Sequence, residues 1–215
     1  MSCAAAPLPV ALRLQDRPVL VVGAGKVAAR KVETLLAAGA LVDVVAPWAC
    51  REVEALATAG AIAWQARPFA ASDVAGHFLV VACTDQDGVD AQVFAACERA
   101  CIFCTAADRP AACSAWWMAV RRRGEVQVAV STGGSAPGLA GRIADEAVAK
   151  LSPALGRAVM RYAEIRQYLI DHPERFGDFV ARGAALATLR RLPWRTLAAA
   201  KTNRLAQIAP DKPVE

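Results

Sequence analysis

Two glycines and one carboxylate carry the chemistry this sequence offers most openly. Gly23 and Gly25 belong to Gly23-Ala24-Gly25-Lys26-Val27-Ala28, a G-x-G-x-x-A pattern directly after the apolar run Val19-Leu20-Val21-Val22. In that pattern the first glycine permits a tight turn and the second lets the backbone approach a pyrophosphate. The small Ala28 lets the following helix pack closely on the strand. The start of that helix offers unpaired N–H groups and the positive end of its dipole to phosphates. Gly23, Gly25, Lys26 and Val27 are therefore the expected contacts of a dinucleotide, read here as NAD.

Three further positions complete the expected cofactor set. An acid about 20 residues beyond the glycines usually holds a ribose. Asp43 is the acid within the second strand, yet it precedes Val44-Val45 and reads equally well as an outward-facing strand residue. No arginine occupies Val45-Ala46-Pro47-Trp48, which favours NAD over NADP. Thr84 and Asp85 follow Val81-Ala82-Cys83, where open α/β sheets bind ligands beyond the carboxyl ends of their strands. They read as ribose or nicotinamide neighbours, or as the N-cap of the next helix. Asp108, in Ala106-Ala107-Asp108-Arg109-Pro110, sets a carboxylate after the fifth β-like run. Removing hydride from a carbon skeleton also requires proton loss, which a carboxylate there can accept. Capping its own loop is the alternative role.

The elements that must position these residues alternate in type. β-like runs at 18–23, 41–46, 62–66, 78–83 and 102–106 are separated by helical patterns at 27–38, 50–59 and 88–99. This predicts an α/β, Rossmann-like, doubly wound parallel sheet over residues 1–112. The rhythm then changes. Runs at 115–120 and 126–131, joined by Arg121-Arg122-Arg123-Gly124, read as a β-hairpin, and Pro137 opens a helix to about Lys150. Residues 113–150 thus form a hairpin and helix segment. From 151 to 215 the pattern is all-α, with breaks at His172-Pro173 and Leu192-Pro193 and a disordered tail after about Ala209.

Composition narrows the function class. With 56% hydrophobic residues in 215, the chain can bury a sizeable core, and no apolar run approaches the roughly 20 residues a membrane span needs. The small, apolar N-terminus lacks a basic region and reads as a short leader of a cytoplasmic protein. Seven cysteines, an odd number, argue for reduced thiols rather than disulfides. Cys97, Cys101, Cys104 and Cys113 have partial metal-site spacing. Cys101 ends a predicted helix while Cys104 lies within a strand, so no metal is expected. His77 and His172 sit in no ligand spacing. The net charge of +5 falls wholly within residues 151–215, which suits a polyanionic small molecule, nucleic acid or a solvated helical face. The rival class is an NAD(H)-sensing regulator whose basic helices bind DNA; it requires a helix-turn-helix, and no short glycine turn joins the helical runs.

Taken together, four stretches resemble the precorrin-2 dehydrogenase/sirohydrochlorin ferrochelatase family, the stand-alone form of the siroheme synthase N-terminal region. They are Val21 through Lys31, Ala82-Cys83-Thr84-Asp85, Ile102-Phe103-Cys104 through Asp108, and Val128 through Pro137. The resemblance implies oxidation of precorrin-2 to sirohydrochlorin with NAD⁺ as hydride acceptor, and Fe²⁺ insertion at the same site in bifunctional members. It implies a homodimer with a shared substrate site, a dimerisation role for residues 113–150, and a catalytic role for Asp108. Neither nucleic acid nor membrane is an expected partner. The implied substrate is an octacarboxylate, so arginines that grip carboxylates are expected near it. Candidates are Arg109, Arg121, Arg122, Arg123 and Arg142, with Ser131, Thr132, Gly133, Gly134 and Ser135 offering backbone N–H groups at a helix start. The sequence departs from the family at Ser114-Ala115-Trp116-Trp117-Met118-Ala119, where a Phe-x-x-Pro-type segment is usual, and at Ala136, where relatives often carry serine. The methyltransferase domain of full siroheme synthases is also missing, so oxidation without methylation is expected.

Overall fold

The computed structural model describes residues 7–107, 109–176 and 179–199. The expected tail after Ala209 lies outside them. Among the described residues no helix is long and apolar enough to cross a membrane.

The chain divides into two compact units, one ending at Trp117 and the other beginning at Met118. In the first unit five parallel strands lie in the order β3-β2-β1-β4-β5. They are β1 (Pro18–Val22), β2 (Leu41–Val45), β3 (Ala63–Gln65), β4 (Leu79–Ala82) and β5 (Phe103–Ala106). All five coincide with predicted runs. The chain first winds outward from β1 through α1 (Lys26–Ala37) and α2 (Arg51–Thr58) to β3, then returns to β4 on the other side of β1 and continues through α3 (Asp87–Ala100) to β5.

Side-chain alternation builds two cores on this sheet. Val19, Val21, Val42, Val44, Leu79 and Val81 pack with Val32 and Leu35 of α1 and Val53 of α2. Leu20, Val22, Val45, Val80 and Ala82 pack on the opposite face with Val93, Ala96 and Cys97 of α3. The central strands are covered on both faces, which is why their sequence reads as continuous apolar runs. Each fully buried valine or leucine contributes about 1.5–3 kcal/mol by leaving water. This rigid centre holds the strand ends in place.

The second unit starts with an antiparallel hairpin, β6 (Ala119–Arg123) and β7 (Val126–Val130), pairing Ala119 with Val130 and Arg123 with Val126. The three arginines expected in the connecting turn instead belong to β6, and Gly124, at φ +56°, makes the turn. Their aliphatic stems suit a strand. Arg121 and Arg123 share the more buried face, where Arg121 pairs with Asp145 of α4 (Pro137–Ala149) and Arg123 donates to the Leu151 carbonyl. Three helices follow: α5 (Ala154–Asp171), α6 (Phe179–Arg191) and α7 (Trp194–Ala199). They close on a core of Ala158, Ile165, Leu169, Ala185, Leu189 and Leu197. Both predicted breaks fall between helices. The division expected at 150/151 is not a boundary between compact units, because the Arg123–Leu151 bond and the approach of Gly124 to Gly156 tie hairpin and helices together.

Candidate functional site

A cleft of about 680 Å³ opens at the carboxyl ends of β1, β2, β4 and β5. It sits where the winding reverses between β1 and β4, the place where open α/β sheets bind ligands. The β1–α1 turn supplies Gly23, Ala24, Gly25, Lys26 and Val27; β2 and its loop supply Val45, Ala46, Pro47 and Trp48. Cys83, Thr84, Asp85 and Gln86 follow from β4, and Ala107 and Arg109 from β5.

The two glycines have separable roles. Gly23 has φ +101°, its N–H donates to the Val45 carbonyl at 2.9 Å, and a Cβ on it would stand 2.4 Å from the Cys83 carbonyl oxygen. It is required by the sheet itself. Gly25 is the N-cap of α1 in an extended conformation any residue can adopt, and a Cβ there would meet only the Trp48 ring, at 3.8 Å. No side chain caps α1 and no acid stands in its first turn. The helix therefore presents open N–H groups and an uncompensated positive end to the cleft.

Across the cleft, a polar cluster joins the loops after β4 and β5. Asp90 of α3 is only 1% exposed, and its Oδ1 accepts from the Thr84 hydroxyl at 2.6 Å and more weakly from the Thr84 N–H at 3.4 Å. The Thr84 hydroxyl also accepts from the Gln86 N–H at 3.2 Å. Arg109 pairs with Asp87 and places Nη1 3.6 Å from the Asp90 carboxylate. Thr84 is thus held by helix α3 without being its N-cap, which is Gln86. Asp85 lines the cleft beside it.

Asp43 requires a correction. It lies mid-strand, in register with Leu20 and Ala63, and His77 Nε2 bonds its Oδ2 at 3.0 Å. Residues two to five positions further along reach the cleft, and Asp43 is not among its lining residues. Asp108 lies outside the described residues, although its neighbours Ala107 and Arg109 both line the cleft.

The Ser131-to-Ser135 loop belongs to the second unit, joining β7 to α4 through left-handed Gly133 and Gly134. Two of its N–H groups are used locally, Gly133 donating to Ser131 Oγ and Ser135 to the Thr132 carbonyl, and the N–H of Ala136, just beyond it, donates to Thr132 Oγ1. Arg121 is paired with Asp145, which raises its basicity and holds the Asp145 carboxyl below the usual carboxylate range. Among the described residues no group of three or more His, Cys, Asp or Glu is arranged to hold a metal. Cys101 is exposed while Cys104 is buried, so the pair diverges. The bond with Cys97, and then burial, push the Cys104 thiol upward, keeping it protonated.

Sequence reading missed Trp48, which lines the cleft, and Asp90, which lies buried behind it and holds Thr84. Asp90 shares the buried stripe of α3 with Val93, Ala96 and Cys97, and a carboxylate at helical spacing on an apolar face was its signal. Trp48 was visible as an aromatic just past the end of β2.

Comparison with known proteins bears on this geometry. A family described as putative NAD(P)-binding matches residues 10–119, just over half of the chain. The chain belongs to this NAD(P)-binding family. Among curated relatives, the siroheme synthase of Thioalkalivibrio sulfidiphilus is 41% identical over 149 residues, covering 69% of this chain and 30% of the relative. Siroheme synthase 3 of Aeromonas hydrophila is 37% identical over 200 residues, covering 93% of this chain and 40% of the relative. The chain spans about a third of the length of such relatives. A solved structure of SirC, precorrin-2 dehydrogenase, shares the fold with a TM-score of 0.69 at 21% identity, covering 94% of this chain and 96% of that one. The family's match spans the whole cleft, so the turn, Thr84, Asp85 and Arg109 all lie within its NAD(P)-binding region.

Proposed function

We propose that this chain oxidises precorrin-2 to sirohydrochlorin with NAD⁺ as hydride acceptor. The observation that carries the reading is that the glycine turn and both residues flanking Asp108 line one cleft at the switch point of the sheet. The cleft fits a dinucleotide: its volume lies in the range of small-molecule sites, Gly25 leaves room for the approach of a pyrophosphate, and the start of α1 is uncapped. When bound, the nicotinamide supplies the hydride acceptor. NAD is favoured over NADP because no arginine stands among the cleft residues at the end of β2. The relatives named above, siroheme synthases and a precorrin-2 dehydrogenase, point to the same substrate.

The chain's own residues supply binding and proton transfer. The N–H groups opening α1 hold the pyrophosphate, while Thr84 and Asp85 border the ribose and nicotinamide end. As hydride leaves the tetrapyrrole, Asp108 accepts the accompanying proton, so the substrate loses two hydrogens as hydride and proton. Arg109 is held by Asp87 and Asp90 at the cleft edge, where it can turn a guanidinium toward a substrate carboxylate. Within the second unit, the Ser131-to-Ser135 loop, Arg122 and Arg142 are the candidate groups for holding carboxylates. The active form is a homodimer, supported by Leu139 and Ile143, which stand exposed four residues apart on α4.

Asp108→Ala tests the chemical assignment. NAD⁺ titration should match the wild type, while anaerobic turnover of precorrin-2 falls by about 100- to 10,000-fold. Wild-type turnover in the variant would remove Asp108 from the mechanism.

A further inference from the structure

Trp48 is 60% exposed although it is among the largest apolar side chains in the molecule, and it stands at the mouth of the cleft. Its position is fixed from both ends of a short loop. On one side the Ala46 N–H donates to the Gln65 carbonyl, and Trp64 Nε1 donates back to the Ala46 carbonyl at 3.1 Å. On the other, the Cys50 N–H donates to the carbonyl of Ala24, within the glycine turn. Pro47, with its constrained φ, lies between these anchors. The indole is thereby held beside Gly25, and Pro68 and Phe69 add apolar lining to the same cleft.

In a dinucleotide site of this topology the pyrophosphate sits at the start of α1 and the adenosine half extends toward the end of β2. Among the described residues no carboxylate lines the cleft at the end of β2: Asp43 is bonded to His77, and Asp85, which does line the cleft, follows β4. An exposed, pre-positioned indole lines the cleft at the end of β2, beside the place where the base lies. Resting on the NAD reading given above, we infer that Trp48 is the platform on which the adenine of the cofactor stacks, supplying at the end of β2 the grip that Asp43, turned to His77, does not. Because adenine does not react, this contact is the same in ground and transition states. Losing it raises the KM for NAD⁺ and leaves kcat unchanged.

Calorimetric titration of wild type, Trp48→Ala, Trp48→Phe and Gly25→Val with NAD⁺, AMP and nicotinamide mononucleotide tests the inference. Thermal melts verify that each variant is folded. Base–aromatic stacking of about 1–3 kcal/mol corresponds to roughly a 5- to 150-fold loss of affinity. Trp48→Ala should show that loss for NAD⁺ and AMP, keep wild-type affinity for nicotinamide mononucleotide, and recover most of the loss as Trp48→Phe. Unchanged NAD⁺ and AMP affinity in Trp48→Ala, with binding abolished in Gly25→Val, would overturn the adenine platform and leave the NAD site standing. An equal loss for nicotinamide mononucleotide would also overturn it. Wild-type protein that binds no NAD⁺ would overturn the cofactor reading and this inference with it.

Discussion

Gly23 and Gly25 are two positions apart, yet they answer to different forces. At Gly23 any side chain meets the Cys83 carbonyl oxygen and a left-handed backbone, so Gly23→Ala should lower the melting temperature, whatever its effect on cofactor. At Gly25 the conformation suits any residue and the added group points toward Trp48. Gly25→Val should therefore melt near the wild type while losing NAD⁺ binding. A melt and a titration on each variant check the pair; a destabilised Gly25→Val with intact affinity would reverse the assignment. The motif itself was legible in the sequence, but this division of labour was not, because it depends on a carbonyl 60 residues away. Asp43 was misplaced for a related reason. Spacing from the glycines pointed to it, whereas strand register and a partner at His77, 34 residues on, decide where its carboxylate goes.

At the scale of elements, the five parallel strands were readable because central strands buried on both faces are unbroken apolar runs bounded by turns. The hairpin was readable through the alternation of Val126, Val128 and Val130, but its turn was misjudged because arginine looks like a solvated loop residue. In the structure Arg121 and Arg123 end on Asp145 and the Leu151 carbonyl, neighbours that no local window contains. A similar pairing pins the connection between β3 and β4. Arg67 bonds both oxygens of Asp73 at 2.8 Å, and the Ala70 N–H adds a third bond. The bond with Arg67 holds the Asp73 carboxyl below its ordinary 3.8, and the Ala70 N–H reinforces that. A carboxyl depressed in the folded state contributes stability that is fully present above its unfolded pKa and lost as pH falls through the folded value. Asp73→Asn should therefore be less stable than wild type at neutral pH, with the difference shrinking below about pH 4. Denaturant melts across this range test it. A difference independent of pH would mean the ion pair is not its source.

For the molecule as a whole, the match to the NAD(P)-binding family covers nearly all of the first unit, and the net positive charge collects in the helical part of the second. One unit holds the dinucleotide cleft. The other carries paired arginines on β6 and an exposed apolar stripe, Leu139 and Ile143, on α4. If that stripe makes the homodimer, Leu139→Asp with Ile143→Asp should shift sedimentation from dimer to monomer without unfolding α4, whose core contacts are Ala140 and Ala144. A variant that remains dimeric would place the interface elsewhere. The central claim is that this cleft couples NAD⁺ to oxidation of a reduced tetrapyrrole, and anaerobic absorbance of the protein with precorrin-2 tests it most directly, run with and without NAD⁺ and repeated with Gly25→Val. The account predicts sirohydrochlorin together with an equal amount of NADH, only when NAD⁺ is present and only in the wild type. Folded wild-type protein that leaves precorrin-2 unchanged with NAD⁺, or a Gly25→Val variant that turns over at the wild-type rate, would contradict it.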